Sequence, residues 1–266
     1  DSLDAETRFD TQETYERFQQ WADTLNPYIQ NTLAVVSDAV RGGNFVAEAA
    51  QAYAISLDTG MPGRSTSTDS SFGPLTRKYQ VSPDHLGFRV GVMKLVETAV
   101  GTHTLYAPIP EDYQELIYGT TAQRGSPEQG RVSGRMRQIS WISIPQLRAA
   151  VETYGLNSLA IPKVDVLDKL PEIQLGMEYV FPDGETSQIY DPSDPRMLDN
   201  RTQMNTLRLP GWQTSTAGLQ EYADAPVQLR GIIETLSHLL GVPVISIGTA
   251  PHYGERIYAK GSPYKR

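Results

Sequence analysis

The chain has 266 residues, 39% of them hydrophobic, with 22 glycines and 18 prolines, which is enough to bury a large core as one domain or one large part of one. A net charge of -8 argues against broad contact with nucleic acid, and the absence of cysteine excludes disulfides, thiolate nucleophiles and cysteine-held metal. No apolar run approaches the roughly 20 residues that cross a bilayer, and the acidic start DSLDAETRFD lacks the basic and apolar regions of a signal peptide, so a cytoplasmic protein bound to no membrane is expected.

In chain order, Tyr15, Phe18, Trp21 and Leu25 fall at three- and four-residue spacing and predict a helix over 11–25. Pro27 separates it from a second helix, Tyr28 to Arg41, ended by Gly42 and Gly43. Asn44 to Ala47 reads as a short strand feeding a long loop, Gln51 to Pro83, rich in Ser, Thr, Gly and Asp. Loops of that size without structure of their own are uncommon unless they bind something. A strand is expected over Arg89 to Val96, a small-residue segment over Gly119 to Gly134, a helix over Ile144 to Tyr154, and strands over Ser158 to Ile161 and Ile173 to Tyr179. Val227 to Leu240 predicts a helix, followed by a strand over Val242 to Ile247. Alternating strands and helices argue for α/β architecture with a mainly parallel central sheet flanked by helices. Because residue 1 is Asp, the chain is expected to be either processed or a piece of a longer one.

Three segments carry polar side chains in patterns suited to ligands. Pro162, Lys163, Val164 and Asp165 follow directly on the strand SLAI. A carboxylate at the C-terminal edge of a sheet accepts the N1 and N2 hydrogens of guanine, while a Lys stem covers the ring. Taken alone, the segment is more often an ordinary exposed turn. The second segment holds Glu48, Gln51 and the hydroxyls of Ser65 to Ser71, which suit a phosphate monoester and a purine edge, or else form a solvated loop. The third runs from Gly119, Thr120 and Thr121 to Gly134, Arg135, Met136 and Arg137. Guanidinium groups contact a dicarboxylate in a planar, bidentate way, although two surface arginines at alternate strand positions are an equal reading. His85, His103, His238 and His252 have no metal-binding spacing, and Lys94 reads as the end of a strand. No G-x-S-x-G elbow is present.

Leu209 to Ile257, LPGWQTSTAGLQEYADAPVQLRGIIETLSHLLGVPVISIGTAPHYGERI, resembles the C-terminal end of adenylosuccinate synthetases. In the same chain order, Leu159 to Asp168, LAIPKVDVLD, resembles that family's guanine-reading strand and loop. The resemblance implies an α/β fold with long substrate-binding loops, in which residues 1–266 form the C-terminal part of a synthetase-like domain. It implies GTP-dependent ligation of L-aspartate to C6 of inosine monophosphate, with Mg2+ and a homodimer. Catalytic and metal-binding residues lie in the family's N-terminal part, and this chain holds no G-D-E-G-K-like phosphate cradle. The implied purine monophosphate site is Gln51, Ile55, Thr66 and Arg135, and the aspartate site is Thr120, Thr121, Arg135 and Arg137. Lys163, Asp165, Gly248 and Thr249 are the implied guanine nucleotide contacts.

Departures keep alternatives open. Thr249 to His252 replaces a Gly-Pro-Gly-Arg-like run, Ala49 and Ala52 replace glycines, and QRGSPEQGRV lengthens the loop ahead of Arg135, leaving Arg124, Arg131 or Arg135 to enter the site. ATP as donor, a phage-type synthetase acting on deoxyguanylate (dGMP), and a degenerate scaffold relative therefore stand beside the main reading.

Overall fold

The computed structural model describes residues 10–43, 45–101, 103–125, 127–130, 134–252, 254–259 and 262. They form two compact units: Asp1–Glu48 with Leu75–His85, and Ala49–Pro74 with Leu86–Arg266.

In the first unit, α1 (Thr11–Leu25) has the expected bounds, because the Asp10 carboxylate accepts from the backbone N–H groups of Gln12 and Glu13. The second helix begins later than Tyr28: Asn26–Tyr28 close a 3-10 turn around Pro27, and the Asn31 side chain caps α2 (Thr32–Arg41) through the Leu33 N–H. The strand expected over Asn44 to Ala47 does not form. Phe45 to Ala47 join no ladder, and the Phe45 ring meets Tyr79 edge-on at 6.4 Å; Asn44 lies outside the described residues. The expected loop Gln51 to Pro83 contains a helix of its own, α3 (Phe72–Tyr79), with Pro74 in its first turn where no intrahelical donor is needed.

The second unit carries two sheets and the expected α/β architecture. One has the order β1 (Val90–Val92), β4 (Ser158–Ile161), β8 (Val244–Gly248) and β9 (Arg256–Tyr258). Its first three strands are parallel and β9 returns antiparallel. The other contains β2 (Val96–Ala99), β3 (Gln138–Ser143), β5 (Glu172–Val180), β6 (Thr186–Ser187) and β7 (Gln203–Pro210). There β3 and β5 are parallel, while β2, β6 and β7 pair antiparallel with their neighbours, so the strand directions are mixed.

The single strand expected over Arg89 to Val96 is two strands. β1 runs beside β4 and β2 turns away to β3, with Met93 N–H donating to the Ala160 carbonyl at the break. The expected small-residue segment from Gly119 is helical to Gln123, because α4 (Glu111–Gln123) starts behind Pro110 with Glu111 and Asp112 in its first turn. The helix α5 (Ile144–Tyr154) has the expected bounds, capped by the Ser143 hydroxyl at the Gln146 N–H, and α6 (Val227–Leu240) matches its periodicity. Leu229, Ile232, Ile233 and Leu236 of α6 join Trp141, Ile142, Leu159, Ile161, Leu175 and Ile247 in one buried core. That core fixes where β4 and β8 end.

Candidate functional site

β4 and β8 are neighbours and parallel, so the loops leaving their C-terminal ends emerge side by side. Ile161 pairs with Ile247, and a Cβ on the following Gly248 would lie 3.1 Å from the Pro162 Cα and 3.5 Å from the Lys163 nitrogen. A side chain there would force the Pro162 backbone to give by a few tenths of an ångström, so glycine suits this close approach. Lys163 then takes a left-handed conformation, φ +61, and opens the 3-10 turn Val164–Leu167. A non-glycine residue in that region is strained, a feature that recurs at ligand sites.

The turn buries Asp165, which is 3% exposed. Its Oδ2 pairs at 2.8 Å with Arg124 Nη1, at the C-terminal cap of α4. Burial raises the Asp165 carboxyl above its ordinary range even though Arg124 pulls the other way, so the partner does not fully offset desolvation. At the end of the neighbouring β8, Thr249 is fully buried, and its hydroxyl has no hydrogen-bond partner among the described residues. Asp168 closes the turn from behind by accepting from Trp212 Nε1 at 2.8 Å and from Thr216 N and Oγ1 at 2.9 Å each.

A second charged group adjoins this edge. Residues 128–130 and 134–137 pair antiparallel: Arg137 N–H donates to the Glu128 carbonyl at 2.9 Å, and Gly130 N–H to that of Arg135 at 2.8 Å. The hairpin buries the Glu128 side chain to 3% exposure against three cations, Lys163 at 2.9 Å, Arg137 at 3.0 Å and Lys94 at 3.4 Å. Burial opposes ionisation of Glu128, but the three cations together outweigh it and hold the carboxyl below its ordinary value. Burial also lowers Lys94 to about 8 against the attraction of Glu128, with Lys163 and Arg137 adding repulsion.

Lys163, Asp165, Gly248 and Thr249 thus lie together at one sheet edge, and Arg137 is tied to Lys163 through Glu128. Arg135 is exposed in the same hairpin, and Arg131 lies outside the described residues. Thr120 and Thr121 stand in the last turns of α4, where their hydroxyls donate to the carbonyls of Leu116 and Tyr118. Gln51 is exposed with φ +71. Thr66 folds back on Ile55, donating to its carbonyl from N at 2.7 Å and from Oγ1 at 3.0 Å. That loop is further held by Ser70 Oγ, 2.7 Å from the Tyr154 hydroxyl, and by Arg64, which donates to Thr104. Glu128 and Lys94 carry much of the site's charge without having been singled out as contacts from the sequence, whereas Arg124, one of three arginines expected to enter the site, is held on Asp165. Among the described residues no three His, Asp or Glu side chains gather as ligands for a cation such as magnesium. No described helix is long and apolar enough to cross a membrane.

Fold and site define an α/β protein whose adjacent parallel strands end in a buried carboxylate, paired cations and a hydroxyl with no hydrogen-bond partner among the described residues. Residues 2–257 match the family model of adenylosuccinate synthetase, and the chain belongs to that family. The chloroplastic enzyme of Solanum bulbocastanum is 32% identical over 247 residues, covering 92% of this chain and 48% of that protein. The Aspergillus niger synthetase is 32% identical over 247 residues, covering 92% of this chain and 57% of its own length. This chain therefore spans about half the length of the curated relatives it matches. The solved structure of fully ligated adenylosuccinate synthetase from Plasmodium falciparum shares the fold with a TM-score of 0.85 at 20% identity, covering 96% of this chain and 59% of that one.

Proposed function

We propose that this chain supplies the C-terminal substrate-binding part of an adenylosuccinate synthetase, which joins L-aspartate to C6 of inosine monophosphate at the expense of GTP. One observation carries the reading: a buried carboxylate, Asp165, stands two residues after a strained Lys163 at the end of β4, where the backbone of Pro162 and Lys163 packs against Gly248 at the end of β8. The Asp165 carboxylate accepts the N1 and N2 hydrogens of guanine, which adenine lacks in that arrangement, and so selects GTP over ATP. The Lys163 stem covers the ring, and the Thr249 hydroxyl, without a partner among the described residues, gains one.

Arg135 and Arg137 bind the carboxylates of aspartate, Arg137 being aimed by Glu128. Gln51, Ile55 and Thr66 belong to the purine monophosphate site. The sequence has no G-D-E-G-K-like cradle, and in this reading phosphoryl transfer and its magnesium belong to the family's N-terminal part. A homodimer in the cytoplasm completes the reading.

Calorimetric titration with GTP and ATP tests it. GTP is expected to bind at least tenfold more tightly than ATP; equal affinity removes the guanine assignment. Arg135→Leu is expected to weaken binding of L-aspartate far more than that of inosine monophosphate, and an equal effect on both contradicts the role given to Arg135.

A further inference from the structure

Glu128 is a single buried carboxylate contacted by cations from three separate parts of the second unit: Lys94 after β1, Lys163 after β4 and Arg137 ahead of β3. Such a cluster is a poor device for stability alone, since desolvating four charges offsets much of their attraction, and well-packed apolar residues do as well. It does fix geometry. Glu128 Oε1 receives Lys163 and Oε2 receives Arg137, so the position of one cation constrains the other through a carboxylate that is itself immobilised. The Glu128 backbone adds a second tie, accepting the Arg137 N–H at 2.9 Å. Lys163 also stands in a left-handed backbone conformation two residues before Asp165, so the ammonium held by Glu128 and the carboxylate buried by the turn belong to one short segment.

We infer that Glu128 is a positioning residue that couples the guanine nucleotide subsite to the aspartate subsite, by holding Lys163 of the one and Arg137 of the other on a single carboxylate. The inference rests on the assignment of those two subsites in the proposed function. Occupation of either subsite fixes its own cation and, through the shared carboxylate, the cation of the other, so the second ligand binds a partly assembled site. Such linkage is reciprocal, and typical factors are about 5- to 150-fold.

The test is calorimetric titration of GTP with and without saturating L-aspartate, and of L-aspartate with and without saturating GTP, on the wild type, Glu128→Gln and Glu128→Asp. In the wild type each ligand is expected to tighten the other by the same factor, about fivefold or more. Glu128→Gln keeps the side-chain shape but loses the charge, and its coupling factor is expected to fall to about one; Glu128→Asp should recover part of it. A purely structural role would weaken both affinities and leave their coupling intact. That result, or a wild type that binds both ligands independently, overturns the inference. A wild type that binds neither ligand overturns the subsite assignment itself, and is told apart by the missing heats. If circular dichroism shows Glu128→Gln unfolded, Glu128→Asp carries the test alone: its shorter side chain loosens both ties, and a coupling factor equal to that of the wild type overturns the inference.

Discussion

Asp165 and Arg124 should respond very differently to removal, although they form one ion pair. The pair is asymmetric: Asp165 is 3% exposed and Arg124 26%. Burial raises the Asp165 carboxyl despite the guanidinium at 2.8 Å, so the ionised form is held at a net cost in the ligand-free fold. Asp165→Asn removes that cost together with the attraction, and Arg124 retains enough exposure to be solvated by water. The expected loss of folding stability is therefore small, within about 1 kcal/mol. Arg124→Leu instead strands a buried carboxylate and should cost about 2 to 4 kcal/mol, near the range for breaking a buried pair and reduced for the exposure of Arg124. The double variant should recover most of that loss. Urea unfolding of the four proteins reads these values directly. GTP affinity reads the other half: Asp165→Asn should weaken it by about 1 to 3 kcal/mol, roughly 5- to 150-fold, by leaving guanine donors without an acceptor. If Asp165→Asn destabilises the fold as much as Arg124→Leu does, or leaves GTP affinity unchanged, Asp165 is a structural residue and the reasoning fails.

Two further outcomes are accessible by urea unfolding. Burial raises the Glu97 carboxyl from 4.5 to about 7, against a Ser143 N–H that favours ionisation. The folded protein therefore holds the proton more tightly than the unfolded chain; stability from this group is complete below pH 4.5 and is lost as pH rises through about 7, by up to about 3 kcal/mol. Glu97→Gln should accordingly gain on the wild type between pH 5 and pH 8.5, and a difference that does not change with pH excludes this account. Asp168→Ala leaves the buried Trp212 Nε1 and the buried Thr216 without acceptors and should cost about 2 to 4 kcal/mol; a loss below about 0.5 kcal/mol would mean that water replaces the carboxylate.

The elements most legible in the sequence are those whose stabilisation is local. α1, α5 and α6 keep their expected bounds because one apolar stripe and a capping or proline signal define each. β4 is equally plain, an apolar run ended by proline. β3 was not legible, because QISWIS is buried on both faces: Ser140 is accommodated by bonds with Ala107 and Ser143 by a 2.7 Å contact with the Tyr179 hydroxyl, so no polar alternation marks the strand. The break between β1 and β2 was hidden for a similar reason, since Arg89 to Val96 carries strand-forming residues throughout and only the partners, β4 and β3, separate them.

The candidate site divides along the same line. Lys163 and Asp165 stand two residues apart behind a strand, so their neighbourhood is local and could be read from the chain. Glu128 gains meaning only from Lys94 and Lys163, 34 and 35 residues away, and Arg124 only from Asp165 across the fold. A lone glutamate among Ser, Pro, Gln and Gly carries no periodicity and no motif; its buried state exists because three cations converge on it, and that convergence is produced by packing the end of β1, the end of β4 and the hairpin ahead of β3 against one another. The same packing makes Glu128→Gln informative, since the variant keeps every apolar contact and removes only the charge on which the three segments meet.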